Sequence, residues 1–420
     1  MSQYQLSDLI FPDKSVKTLP ALRLHYLKET LRAFLRAGET LPLELKKTHR
    51  QIKNLVAKAL AGNPQAVLDC FAVPTVGVLI HCHANKGRWP QLSEKISSAF
   101  QNALPHLLLE MALRHLMAPG EVFEWKWGAP RLASSSIQAL LIPPPDASGW
   151  KFMANSISVL GGQGEGASLR LSSQSLTRGR REVQGLRSEL SYVPLAGNIY
   201  LALKDLNPIA ETEAHPGKFG NALSLGEHSE DDWRSSLQMA LDWIKEATPE
   251  IFSEMQILLR HVVPVGFDPQ RHFSASYQEA VGVVYMSLHP NPLVMAEALI
   301  HEFQHNKLYL ASYRDGLLEN AFHPLYPSPV RPDPRPLWGV LLAVHAFLPV
   351  AIFYRRLREI NHPISQTPEF KRRLKEIVRQ NKEGLETLGK HAQWTEAGKD
   401  LWKGLLSLEA RASSSRAIAT

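Results

Sequence analysis

The stretch NPLVMAEALIHEFQHNKLYLASY (291–313) reads as a long helix with an HExxH segment at its centre, and a short apolar β-type run, GVVYMSL (282–288), leads into it. Asn291 is suited to capping the first free N–H groups, and Pro292 is tolerated in the first turn of a helix. Positions i and i+4 share a helical face, so His301 and His305 project together. The apolar neighbours Ala298, Leu299, Ile300 and Phe303 predict that at least one of the two histidines is half buried beside a carboxylate.

Two imidazoles one turn apart can grip a single cation, and Glu302 can reach the same ion or a water bound to it. Chance alone yields an HExxH about 0.05 times in a chain of this composition, so the context matters. The plainer reading is a pair of surface histidines with no ion. Glu297, four residues before His301, is either an acceptor for that imidazole or a solvent-facing charge.

A third donor is needed. Leu308 and Ala311 stand where the metzincin continuation requires Gly and His, which excludes that pattern. Glu319 offers a carboxylate, but from a loop-like stretch, GLLENAFHPLY (316–326). His345 is the stronger candidate. It lies in PRPLWGVLLAVHAFLPVAIFY (334–354), a helix apolar nearly all round that opens at Pro336. A buried histidine there needs a hydrogen-bond partner or a metal, because an unpaired polar group costs about 1–3 kcal/mol.

Between the two helices, HPLYPSPVRPDPRPLW (323–338) is stiffened by prolines and presents Arg331, Asp333 and Arg335. Either arginine can hold a carboxylate in a bidentate fork, or pair with Asp333 as a structural salt bridge. His323 and Tyr326 border the same loop.

Outward from this centre the chain divides into three regions. Residues 1–130 read as a helical N-terminal region, with helical spacing through ALRLHYLKETLRAFLRA (21–37) and LSEKISSAFQNALPHLLLEMALRHLM (92–117). Residues 131–204 are β-rich, with runs SIQALLI, KFMANSISVL, SLRLSSQSL and GNIYLAL separated by Pro and Gly turns. Residues 205–420 return to helices, DDWRSSLQMALDWIKEA (231–247), PEIFSEMQILLRHVV (249–263) and two or three amphipathic ones from 368 to 408. His81-Cys82-His83, after the apolar run VGVLI, reads as the buried end of a strand, and LGGQGEGAS (160–168) as a turn between strands, lacking the GK[ST] of a phosphate loop. His215 and Asn221 lie in a polar loop open to substrate contact. The last ten residues, RASSSRAIAT, have the composition of a disordered tail.

Two cysteines, Cys70 and Cys82, cannot build a disulfide framework, and the N-terminus lacks a secretory pattern, so a cytoplasmic setting is expected. The apolar stretch from Gly339 to Phe353 falls short of the roughly 20 residues that cross a bilayer. A net charge of +7 is spread along the chain. Its densest part, around Lys371-Arg372-Arg373, reads as a solvated helix face with no aromatic interleaving, so neither nucleic acid nor a membrane is expected as partner.

Three stretches, DLNPIAETEAHPGKFGNALSLG (205–226), ALIHEFQHNKL (298–308) and YPSPVRPDPRPLWGVLLAVHAF (326–347), resemble the HExxH-motif peptide-modification proteins associated with ribosomally made, post-translationally modified peptides. Some members of that family are 2-oxoglutarate-dependent iron oxygenases that hydroxylate the β-carbon of residues in a precursor peptide. The resemblance implies that His301, His305 and His345 hold Fe(II) and that Arg331 or Arg335 binds the 2-oxoglutarate carboxylate. Imidazole suits iron as well as zinc, and three facial ligands leave positions for a 2-oxo acid and oxygen. The rival reading keeps the ligands around Zn²⁺ and makes Glu302 the general base of a metallopeptidase. A third, of a different class, is a non-catalytic peptide-binding protein. The fold expected is α+β, predominantly helical, with a central β-rich region and a zincin-like HExxH helix beside a strand.

Overall fold

The computed structural model describes residues 5–12, 17–154, 156–162, 165–170, 183–184, 186–212, 214–215 and 218–414. It is a mixed α and β structure that divides into two compact units. A helix–sheet unit holds Leu27–Ser224 and Arg260–Val265; an HExxH unit holds Met1–Tyr26, Leu225–Leu259 and Gly266–Thr420.

The helix–sheet unit takes up α1 (Thr18–Ala37) from Leu27 on, and α2 (Leu43–Gly62), α3 (Pro64–Phe71), α4 (Pro74–Ala84) and α5 (Ser93–Leu113) follow. One sheet takes the order β1 (Val122–Trp125), β4 (Gly149–Met153), β5 (Ser156–Leu160), β6 (Ser168–Arg170), β7 (Val183–Gln184), all antiparallel. A second has β3 (Ala139–Ile142) between β2 (Leu132–Ser134) and β8 (Arg187–Leu190). A third set joins β9 (Tyr192–Ala196) antiparallel to β10 (Ile199–Ala202), and β10 parallel to β13 (His261–Phe267); β11 (Ala214–His215) and β12 (Lys218–Phe219) form a small hairpin. Phe34, Ile52 and Phe100 from the helices share one core with Trp150, Phe152 and Ile157 from the strands, so elements on both sides of residue 130 bury each other.

Two expectations are corrected in this unit. VGVLIHCHA belongs to α4 and is not a strand. A run that is apolar all round has no period to separate buried helix from buried strand, and the decisive cue is Pro74 in the first turn. His81 there meets the Thr30 hydroxyl at 2.7 Å, and His83 stacks on Phe100. The segment RHVV does not continue a helix: α7 (Pro249–Leu258) stops, and His261 begins β13. Val262 and Val263 explain this, since β-branched residues favour the pleat, and Pro264 is disfavoured in a helix interior. Residues 171–176 of SLRLSSQSL lie outside the described residues, as do Gln163 and Gly164 of the glycine-rich turn that separates β5 from β6.

In the HExxH unit, α6 (Glu230–Ala247) opens on a Ser229/Asp232 capping box. β14 (Ser274–Ala275) pairs antiparallel with β15 (Val283–Leu288), which is buried along its whole length. Then come α8 (Pro292–Ser312), the short pair β16 (Leu325–Tyr326) and β17 (Arg335–Pro336), α9 (Leu337–Glu359), α10 (Pro368–His391) and α11 (Glu396–Ser414). Residues 411–414 of the expected tail thus extend the last helix, and 415–420 lie outside the described residues. α8 packs on α6 and α9, and α9 on α10. The helix α9 is longer than its apolar stretch predicts, 23 residues, which by length and composition is enough to cross a membrane; 78% of that window is buried. It approaches α10 so closely that a Cβ on Gly384 would stand 2.4 Å from Cγ2 of Val344.

Candidate metal centre

Asn291 accepts from the Leu293 N–H at 3.0 Å and Pro292 occupies the first turn, as the residue types dictate. Three turns on, the His301 and His305 rings lie 4.4 Å apart at 77°. Donor atoms of His301, Glu302 and His305 all fall within 4.8 Å of one another, a grouping able to hold a metal ion. The histidines are half-buried and Glu302 is buried.

The carboxylate is oriented from the hairpin: Ser274 Oγ donates to Oε1 and Ser276 Oγ to Oε2, both at 2.7 Å. Asn306, one turn further, accepts from the Gly282 N–H at 2.6 Å and donates to the Glu302 carbonyl at 2.9 Å and the Val283 carbonyl at 3.4 Å. That clamp ties α8 to the start of β15. Behind it, Lys307 forms an ion pair with Glu254, both fully out of solvent.

Burial holds the His301 imidazole down at about 4 against the pull of Glu297, and holds His305 well below its ordinary value. Both rings are therefore neutral at pH 7, the form that donates a lone pair to a metal. Nδ1 of each is buried and has no hydrogen-bond partner among the described residues. His345, on α9, is also fully buried, and neither ring nitrogen has a well-formed hydrogen bond, though the Gln304 carbonyl acts on it. It is close enough to depress His305 electrostatically. Its nitrogens do not join the grouping within 4.8 Å.

Glu319 is exposed, on a loop whose backbone N–H bonds the Gln393 carbonyl, and its carboxylate is outside the grouping. Arg331 and Arg335 both pair with Asp333, at 3.0 and 2.9 Å. Neither lines the cleft of about 590 Å³ that opens beside His301. The guanidiniums that do are Arg372 and Arg373 of α10.

Here the sequence expectation of a solvated basic face holds for Lys371 and Arg372, which are exposed, and is corrected for Arg373. Arg373 grips the Glu297 carboxylate through Nε and Nη2, reaches Glu376 at 2.9 Å, and lies over Phe347, whose ring in turn packs edge-on against His301 at 4.6 Å. Tyr354 Oη also donates to Glu297, at 2.7 Å. Glu297 is thus held by an arginine and a phenol and makes no hydrogen bond to His301. Arg372 is exposed, with no ion pair or hydrogen bond among the described residues. The signal for Arg373 lay in its spacing from Phe370 and Ile377, which puts all three on the packed face of α10. Nothing in the sequence pointed to Ser274, Ser276 or Tyr354.

Tyr326 packs against the His391 ring at 4.7 Å, His323 is exposed, and Asn221 is buried with its N–H on the Ala210 carbonyl. Among known proteins, no family model matches this chain and no curated protein is similar to it.

Proposed function

We propose that the protein is a peptide-modifying metalloenzyme, an Fe(II)/2-oxoglutarate-dependent oxygenase that hydroxylates the β-carbon of residues in a ribosomal precursor peptide. One observation carries the reading: two neutral imidazoles and a carboxylate converge within 4.8 Å, and one of the imidazoles, His301, lines a cleft of about 590 Å³. Two histidines with one carboxylate are the donor set of non-haem Fe(II) oxygenases. The buried ring nitrogens left without protein partners fit a bound cation, since unpaired buried polar atoms are otherwise costly.

His301 and His305 would hold the metal, with Glu302 or His345 as third donor. Held there, Fe(II) would supply the chemistry for oxidising a C–H bond with oxygen, coupled to oxidative decarboxylation of 2-oxoglutarate to succinate and carbon dioxide. Ser274 and Ser276 fix the Glu302 carboxylate, while Phe347, under the Arg373 guanidinium, packs against the His301 ring. Arg331 and Arg335 are engaged with Asp333, so Arg372 is the cation of the cleft suited to a cosubstrate carboxylate.

A zinc peptidase with Glu302 as general base is the second reading. Both Glu302 oxygens are already engaged by serine hydroxyls, so this reading ranks below the first. Anaerobic loading with Fe(II), then oxygen, 2-oxoglutarate and a precursor peptide encoded beside the gene, is the test. Oxygen-dependent succinate with a peptide gain of one oxygen supports the proposal. Peptide cleavage by the zinc-loaded protein, with no succinate from the iron form, overturns it.

A further inference from the structure

In the helix–sheet unit, a groove of about 890 Å³ runs between α2 and β1. One wall is a polar stripe of α2: Lys47, Gln51, Asn54 and Lys58 recur at helical spacing. The side chains of Lys47, Gln51 and Asn54 have no hydrogen-bond or ion-pair partner among the described residues. The other wall includes Val122, Phe123 and Glu124 in succession. Side chains of successive strand residues point to opposite faces, so a groove that meets all three meets the strand at its backbone edge. That edge is open in the sheet, because β1 is terminal and, among the described residues, pairs only with β4.

The groove is closed at both ends. Trp127 Nε1–H donates to Thr48 Oγ1 at 2.9 Å, and Lys58 Nζ donates to Glu121 at 3.0 Å. Ten helical residues separate Thr48 from Lys58, about 15 Å at 1.5 Å each. That length matches four or five extended residues at about 3.3 Å each. Val122 and Trp127 leave large apolar surfaces exposed inside this span, 47% and 43%. The lysines at the rim show what charge they take: Lys58 holds Glu121, Lys126 holds Glu124 at 2.8 Å, and Lys47 faces the groove with no acid of its own.

We propose that this groove binds an extended, acidic peptide segment, which adds to β1 as a further strand. Its main chain would pair with the open edge, apolar side chains would cover Val122 and Trp127, and a carboxylate would meet Lys47, the groove lysine with no acid of its own. The site is independent of the metal centre and of the reaction assigned to it.

The test uses the full chain and a capped, fluorescent pentapeptide alternating glutamate and valine. Saturable binding is expected, tighter than about 1 mM. It should weaken about tenfold with Lys47→Glu, an exposed position whose reversal leaves the fold intact. Amide hydrogen exchange should slow at residues 122–125 when the peptide is bound. A lysine-for-glutamate peptide and one N-methylated at alternate amides should both lose binding. No saturable binding, equal binding of the N-methylated peptide, or protection confined to other segments would each overturn the proposal.

Discussion

Lys307 Nζ sits 2.5 Å from Glu254 Oε2, and this ion pair between α8 and α7 is excluded from water. Burial pushes the lysine down and the carboxyl up, while each partner counters the shift of the other. Removing one partner leaves an uncompensated buried charge, so Lys307→Met should cost about 3–5 kcal/mol in denaturant unfolding. Lys307→Met combined with Glu254→Leu should recover most of that loss. Equal destabilisation by the single and double variants would show that the pair is not coupled.

Ser274→Ala and Ser276→Ala each remove one hydroxyl from the Glu302 carboxylate. Either should lower metal affinity or turnover by about 10- to 100-fold, the usual effect of losing a group that orients a metal-site side chain. Metal titration beside single-turnover product formation separates the two losses. Unchanged values in both would exclude an orienting role for the hairpin.

His301→Ala and His305→Ala should abolish tight metal binding, while Glu319→Ala, at an exposed position, should retain it fully. His345→Ala identifies the third donor. A fall in bound metal to the level of His301→Ala assigns the donor to His345, and retention assigns it to Glu302. The readout is metal content after gel filtration.

Arg372→Ala should raise KM for 2-oxoglutarate about tenfold or more at unchanged Tm, because the side chain faces the cleft without a protein partner. Arg373→Ala should instead lower stability by about 1–3 kcal/mol, since Glu297 loses its arginine. If Arg331→Ala or Arg335→Ala alone raises KM, the cosubstrate anchor lies in the proline-rich loop and not on α10.

Buried histidines make stability pH-dependent. Burial lowers both His81 and His261 to about 3 from an ordinary 6.5. Between those values the unfolded chain binds protons that the folded chain does not, so stability is full above pH 6.5 and falls as pH drops toward 3. Each ring contributes a slope of up to about 1.4 kcal/mol per pH unit. His81→Gln, which keeps a polar partner for Thr30, should flatten the slope between pH 7 and 5 in urea unfolding. An unaltered slope would mean that His81 does not titrate on unfolding.

The long helices were legible because α6, α8 and α10 carry caps and period in the chain itself: Ser229, Asn291 and Thr367 each accept from the first turn. So was the pairing of His301 with His305, which i to i+4 spacing settles locally. What the sequence hid depends on distant partners. Ser274 and Ser276 stand 28 and 26 residues before Glu302, and no local pattern joins a loop hydroxyl to a helix carboxylate. Arg373 reaches Glu297 across 76 residues, and its triplet of basic residues suggested solvent. The strand at His261 was masked by the helix before it, and α4 by uniform apolarity.

Asn306 bonds the backbone at Gly282 and Val283 and so locks the rotation of α8 against β15. One residue added to the helix would turn everything beyond it by 100°. With the azimuth fixed from within the helix, a residue inserted at His289 or Pro290 should bulge outward in the connection and leave the imidazoles aimed where they are. The aim of the metal-binding pair is therefore insulated from length variation in the adjoining turn, and would drift only if the asparagine itself were exchanged.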